Sequence, residues 1–374
     1  METANSYRTR VRSRLESLVP RCDRFLDLCS LAEGVLPTQV AQELKALRVH
    51  SCSHKIDRLL EAIWPEENDS VALFPLENLL IDYDWRFEKT SAELLCERLR
   101  PFPNILCLGT PTIFALLSSE RTSDLLIDRN PFYAGLISAG EDQIVCNSVN
   151  SEEVQLLDRI FDAVVLDPPW YVEDYKDWLT VALSLVKIDG YIFMPMIPKL
   201  LREDAESERR LIYRLLNHIG QTSILPFAMR YETPSFEIRC LHSANLPPLH
   251  GWRTVDVAAV RVENKDPSKY NWKATTYISS DHWSRYRFGH ATVAVRSVAD
   301  KVDYNSTAPV YFLDSVSRRD TRRQKITAIS SKNMATEMGP VSVLNAGLQI
   351  MNKQQCYSND PLVSALRQIE ACHA

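Results

Sequence analysis

From residue 104 to residue 240 the chain repeats one pattern. A short, unbroken apolar run is followed by a polar or helix-forming stretch, and then by another run. The runs are Asn104–Leu108, Leu125–Ile127, Gln143–Cys146, Ala163–Leu166, Tyr191–Met194, Ser223–Leu225 and Phe236–Cys240. Unbroken rather than alternating apolarity predicts strands covered on both faces. Helix-forming stretches lie between several of them, at 112–119, 174–187 and 204–218. Strands that alternate with helices predict an α/β fold with a mostly parallel, doubly wound sheet. A short connection joins the last two runs, which predicts a hairpin and an antiparallel edge strand.

The flanks do not share this pattern. Residues 7–65 carry leucines and other apolar residues at helical spacing, with Gly34 and Pro37 interrupting them and Pro37 placed to open a new helix. Trp64-Pro65 and the polar residues after them mark a boundary. Beyond residue 243, strand-like runs (Val255–Val262, Ala291–Val298, Val310–Leu313) mix with aromatic and basic residues, and 360–372 predicts a closing helix. The expected organisation is a helical region at 1–65, an α/β core at 66–243, a basic β-rich module at 244–343 and a tail at 344–374.

Composition narrows the chemistry. Glycine is scarce, 10 in 374 residues, which argues against a glycine-rich phosphate loop. The nine cysteines are scattered and include no CxxC pair, so the expectation is reduced thiols in a cytoplasmic protein. Cys52 and His54 alone are too few ligands for zinc, and no metal is expected. No apolar run is long enough for a membrane span, and the first thirty residues lack a signal peptide's apolar core. Charge is split. Residues 66–242 hold sixteen basic and twenty-nine acidic side chains, whereas 243–343 hold fifteen basic and nine acidic. A polyanion would therefore meet the later segment and the N-terminal arginines.

In open parallel sheets, ligands bind beyond the carboxyl ends of the strands, where strand order reverses. After the first run comes Gly109-Thr110-Pro111, after the second Asp128, after the third Cys146-Asn147, and after the fourth Asp167-Pro168-Pro169-Trp170. Asp128 lies nineteen residues past Gly109, a spacing suited to a carboxylate that grips ribose hydroxyls. Gly109 permits close approach of a ligand to the backbone, Thr110 is placed to cap the next helix through its hydroxyl, and Pro111 suits the first helical turn. A lone glycine disfavours a pyrophosphate and favours a nucleoside ligand such as S-adenosyl-L-methionine. The two prolines lock the backbone after Asp167 and remove two N–H donors. The Asp167 carboxylate and the Pro168 carbonyl can then accept both hydrogens of a planar amino group. Those bonds pull its nitrogen toward sp³ geometry, ready for in-line attack on a methyl sulfonium. Trp170 supplies a face for a stacked base.

Asp-Pro-Pro followed by an aromatic residue, after the fourth strand, resembles the signature of class I S-adenosylmethionine-dependent amino-methyltransferases. The segment Asp84-Trp85-Arg86-Phe87-Glu88-Lys89-Thr90 and the later Cys107-Leu108-Gly109-Thr110-Pro111 are similar to the N6-adenine methyltransferase-like family, whose members methylate adenine or lysine nitrogens. The resemblance spans about residues 75–242. It implies a Rossmann-like methyltransferase core, with S-adenosyl-L-methionine as cofactor. It also implies that Phe87, Thr90, Leu108, Gly109 and Thr110 border the cofactor, that Asp128 holds its ribose, and that Cys146 and Asn147 border its adenine.

Tyr231-Glu232 follows the sixth run and is placed to frame the target pocket opposite Trp170; the competing reading is a hairpin turn organised by Pro234. Arg318, Arg319 and Arg322 form the densest basic cluster, within 317–325. Residues 283–290 interleave aromatic and basic side chains. Both segments suit nucleic acid as well as a solvated surface. The expected function is methyl transfer to an exocyclic amino group, adenine N6 of nucleic acid first. A protein lysine or glutamine is the alternative, and a binding module that has lost catalysis is the second.

Overall fold

The computed structural model describes residues 2–50, 54–61, 73–75, 77–82, 85–119, 121–140, 143–146, 149, 154, 157–266, 282–288, 291–297, 311–313, 322, 325–331 and 333–336. The chain divides into two compact units. One comprises 1–73, 86–232 and 249–276; the other comprises 74–85, 233–248 and 277–374.

The larger unit is built on a seven-stranded sheet: β1 (Ile105–Leu108), β2 (Leu125–Ile127), β3 (Ile144–Val145), β4 (Phe161–Leu166), β5 (Val186–Pro195), β6 (Gly220–Arg230) and β7 (Thr254–Val262). Their order is β3-β2-β1-β4-β5-β7-β6. The neighbours β1, β2, β3, β4 and β5 pair in parallel, whereas β7 runs antiparallel to both β5 and β6. Helices Val172–Leu185 and Ala205–Ile219 cover one face over Leu106, Leu108, Ile127, Val164, Leu166, Ile192, Met194 and Val260. Residues between these on each strand, such as Cys107, Leu126 and Val165, are also buried, as unbroken apolarity requires. The expected α/β fold with a mostly parallel, doubly wound sheet is therefore present.

One expected element is corrected. Phe236–Cys240 is not a strand but lies in helix Ser235–Ser243, with Pro234 at its N-cap position. Phe236, Ile238 and Cys240 alternate with Glu237 and Arg239, a strand-like period too short to decide the element, and a proline just ahead of them favours a helix start. The antiparallel edge of the sheet is present, and it is made by Thr254–Val262, which pairs antiparallel with β5 on one side and with the outermost strand β6 on the other.

The N-terminal region forms helices Glu2–Leu18, Phe25–Leu31, Pro37–His50 and His54–Glu61, the third opening on Pro37 as expected. They pack on the sheet unit through Tyr7, whose hydroxyl donates to the Leu200 carbonyl at 2.9 Å, and through the Arg10–Glu206 ion pair at 2.7 Å. Of the arginines offered to a polyanion, Arg8, Arg10, Arg12 and Arg14 are paired within the chain. Arg8 and Arg12 both reach the buried Glu43 at 2.6 Å, and Arg14 reaches Glu33 at 3.2 Å.

The smaller unit carries an antiparallel sheet ordered β10-β12-β11-β9-β8, from β8 (His282–Phe288), β9 (Ala291–Ser297), β10 (Tyr311–Phe312), β11 (Ala328–Ser330) and β12 (Met334–Thr336). Its core joins Leu79, Leu80, Phe236, Ala294, Leu313 and Ile329. The helix expected at 360–372 lies outside the described residues. No helix among the described residues is long and apolar enough to cross a membrane, and none of them groups three or more metal-ligating side chains.

Candidate active site

The carboxyl ends of the central strands are laced together by backbone bonds. The Gly109 N–H donates to the Ile127 carbonyl at 2.9 Å, the Asp128 N–H to Val145 at 3.1 Å, and the Asp167 N–H to Leu108 at 3.2 Å. The residues that follow β1, β2 and β4 therefore open side by side at one edge of the sheet, across the point where β1 sends the chain one way and β4 the other.

Gly109 has φ of +60°, a left-handed conformation, and a Cβ there would stand 2.6 Å from the Trp178 ring. Glycine is thus required twice, by backbone and by space. Pro111 opens helix Pro111–Ser118, as the sequence predicts. Thr110 does not cap it through the side chain. Its buried hydroxyl donates instead to the Val165 carbonyl at 3.4 Å. The Asp128 carboxylate accepts the Asn130 N–H at 2.8 Å, an Asx turn that orients it. Cys146 is exposed; burial of its thiol and the nearby Asp128 both push its pKa up. Asn147, Arg318 and Arg319 lie outside the described residues, and Arg322 is exposed in the smaller unit.

Asp167 follows β4 and keeps partial access to solvent, but its carboxyl is enclosed. Burial raises its pKa to about 8, and the hydrogen bond from Tyr231 holds it back from rising further. The Tyr231 hydroxyl donates to Asp167 Oδ1 at 2.8 Å. Burial and the adjacent carboxylate push the Tyr231 pKa well up, so the phenol remains a donor. The Pro169 carbonyl accepts the Tyr171 N–H at 2.7 Å, and among the described residues no backbone N–H reaches the Pro168 carbonyl.

Tyr231 is placed by backbone pairing. Phe87 bridges it in antiparallel fashion, Glu88 N–H donates to Arg230, and Glu232 N–H donates to Arg86. The Phe87 and Tyr231 rings lie 5.0 Å apart, and the Trp170 ring stands nearly perpendicular to Tyr231 at 5.5 Å. Phe87, Tyr231 and Trp170 thus form one aromatic wall around Asp167. Thr90 is exposed at the start of helix Lys89–Leu99, and Glu232 is half-buried beside Tyr231. Arg86 is buried and donates to the Tyr133 hydroxyl at 2.9 Å, which ties this segment to the helix Tyr133–Leu136 beyond Asp128.

Sequence reasoning missed two arginines. Arg202 donates to the Trp170 carbonyl at 2.6 Å, pairs with Glu208 and lies 4.7 Å from the Tyr171 ring centroid. Arg253 lies over both Trp170 and Trp252, at 5.1 and 4.8 Å. The Trp252-Arg253 pair just ahead of the Val255–Val262 run was the available signal; Arg202 carried none.

No protein-family model matches the chain, and no curated protein matches it by sequence. Solved structures do. A branched-chain polyamine synthase mutein from Thermus thermophilus, in complex with N4-aminopropylspermidine and 5'-methylthioadenosine, is 11% identical, with a TM-score of 0.49 over 71% of this chain and 92% of its own. The N-methyltransferase NodS from Bradyrhizobium japonicum, in complex with S-adenosyl-l-homocysteine, is 10% identical, with a TM-score of 0.33 over 47% and 87%. The T. thermophilus 16S rRNA N2 G1207 methyltransferase RsmC, in complex with AdoMet and guanosine, is 15% identical, with a TM-score of 0.31 over 57% and 49%. Likeness at this level concerns the path of the chain.

Proposed function

We propose that this protein is an S-adenosyl-L-methionine-dependent N-methyltransferase acting on an exocyclic amino group, with adenine N6 of nucleic acid as the first target. The observation that carries the reading is the Asp167 carboxyl, held by Tyr231 at 2.8 Å, at the strand-end edge that Gly109 and Asp128 share. The residues there fit the cofactor. The left-handed glycine keeps the backbone bare, the oriented Asp128 carboxylate suits two ribose hydroxyls, and Phe87 and Thr90 start the neighbouring segment. When bound, the cofactor supplies an electrophilic methyl on a sulfonium.

The chain's part is positioning and proton handling. With Oδ1 taken by Tyr231, Asp167 Oδ2 accepts one amine hydrogen and the Pro168 carbonyl the other. Trp170 offers its ring face to the amine's carrier. As the N–C bond forms, one N–H proton becomes acidic. The Asp167 carboxylate, with its pKa raised to about 8, takes that proton, and the methylated amine leaves neutral. Asp167→Ala should abolish turnover while leaving cofactor binding by calorimetry near wild type. Methylation that persists in this variant would refute the mechanism.

A second reading, methyl transfer to a protein lysine or glutamine, is favoured by the acidic balance of 66–242 and by the internal pairing of Arg8, Arg10, Arg12 and Arg14. Labelled methyl donor offered with DNA, RNA and protein separates the two. If the chain is instead a binding module without catalysis, calorimetry at millimolar S-adenosyl-L-methionine gives no heat. Contact of nucleic acid with 283–290 and 317–325 belongs to the first reading; substitution of Arg322 with loss of oligonucleotide binding would support it.

A further inference from the structure

Trp170 is half-buried at the rim of the candidate site, where an indole has several rotamers open to it. A buried arginine lies over it. The Arg253 guanidinium carbon lies 5.1 Å from its ring centroid and 4.8 Å from that of the fully buried Trp252. Arg253 is itself buried, and its carbonyl accepts the Tyr231 N–H at 2.9 Å. One stretch of paired backbone, Arg230 opposite Thr254, therefore delivers both the tyrosine that stands against Trp170 and the arginine that lies over it. A guanidinium is flat and stacks on aromatic faces; a lysine at the same place carries charge but no plane.

We propose that Arg253 is a positioning residue that fixes the plane of Trp170, the face against which the target ring of the proposed reaction stacks. The inference rests on the methyltransferase reading above and adds a positioning residue to it. A flexible alkyl amine gains nothing from an indole locked in one orientation. A heteroaromatic amine does, because its nitrogen must reach Asp167 with the ring already aligned.

The test uses the full-length protein, labelled S-adenosylmethionine, adenine-containing single-stranded ribo- and deoxyoligonucleotides, and a lysine-containing peptide. Arg253→Lys should raise KM for the oligonucleotide by about tenfold with kcat within about threefold, while calorimetric cofactor binding stays unchanged. In a Trp170→Leu background the same change should add less than about twofold, because residues that act through one another are not additive. Should the lysine variant fail to fold, Arg253→Gln, which keeps a flat amide, carries the same cycle. A full additive loss in the Trp170→Leu background would overturn the proposal, as would equal damage to cofactor binding. Wild-type protein that labels only the peptide would overturn it too while leaving methyl transfer intact. Wild-type protein that binds cofactor but labels none of the three would remove the methyltransferase reading itself.

Discussion

The Tyr231 hydroxyl donates to Asp167 Oδ1 at 2.8 Å, across 64 residues of sequence. This bond joins the carboxyl that follows β4 to the segment that follows β6, and it occupies Oδ1 of that carboxyl.

It also sets a pH dependence. The ionised carboxylate is the form that accepts an amine hydrogen, and burial places its pKa at about 8. The kcat/KM profile should rise through about pH 8 and level above it. Tyr231→Phe removes a bond that favours the charged form, so the inflection should move upward by roughly one pH unit or more, given about 1.5–3 kcal/mol for a hydrogen bond to a charged group. A profile flat from pH 6 to 9 would count against an ionising Asp167.

Stability should run the other way. The folded state holds the Asp167 proton to about pH 8, far above the unfolded value of 3.8. Its contribution is complete below the unfolded value and is lost as pH rises through about 8. Asp167→Asn should flatten this part of the curve and raise Tm at pH 8 relative to wild type, read by calorimetric melts at pH 5 and pH 8.

Gly109→Ala should cost about 1–2 kcal/mol for the left-handed backbone alone. The clash with Trp178 adds to it, since a Cβ would sit 2.6 Å from that ring. Urea unfolding measures the sum. Trp178→Leu in the same chain should recover the clash part and leave the backbone part.

Arg202→Ala removes the donor to the Trp170 carbonyl and the group over Tyr171. The expected result is a loss of about tenfold to a hundredfold in kcat, as for a misplaced catalytic loop, with cofactor affinity little changed. Glu208→Gln should fall between wild type and Arg202→Ala, because Glu208 holds the Arg202 guanidinium.

Cys146 is the exposed thiol among the described cysteines, and its raised pKa predicts slow alkylation by iodoacetamide at neutral pH. Cofactor should protect it. Peptide mapping with and without S-adenosyl-L-methionine measures both effects.

Much of this was written locally. Runs such as Ile105–Leu108 and Phe161–Leu166 are apolar at every position, and only a sheet covered on both faces buries them. Asp167-Pro168-Pro169-Trp170 stands out locally, because two prolines stiffen whatever backbone they enter. Gly109 and Asp128 fall where strand ends must lie. What the tertiary structure decided is everything that depends on partners distant along the chain. Phe236–Cys240 became a helix, and Thr254–Val262 took the place between β5 and β6. Tyr231 became a donor to Asp167, and Arg253 settled over Trp170. Periodicity reports how a segment meets water and core, but carries no record of which buried neighbour it will meet. That choice is made only when several elements pack at once and each polar group has to find its partner.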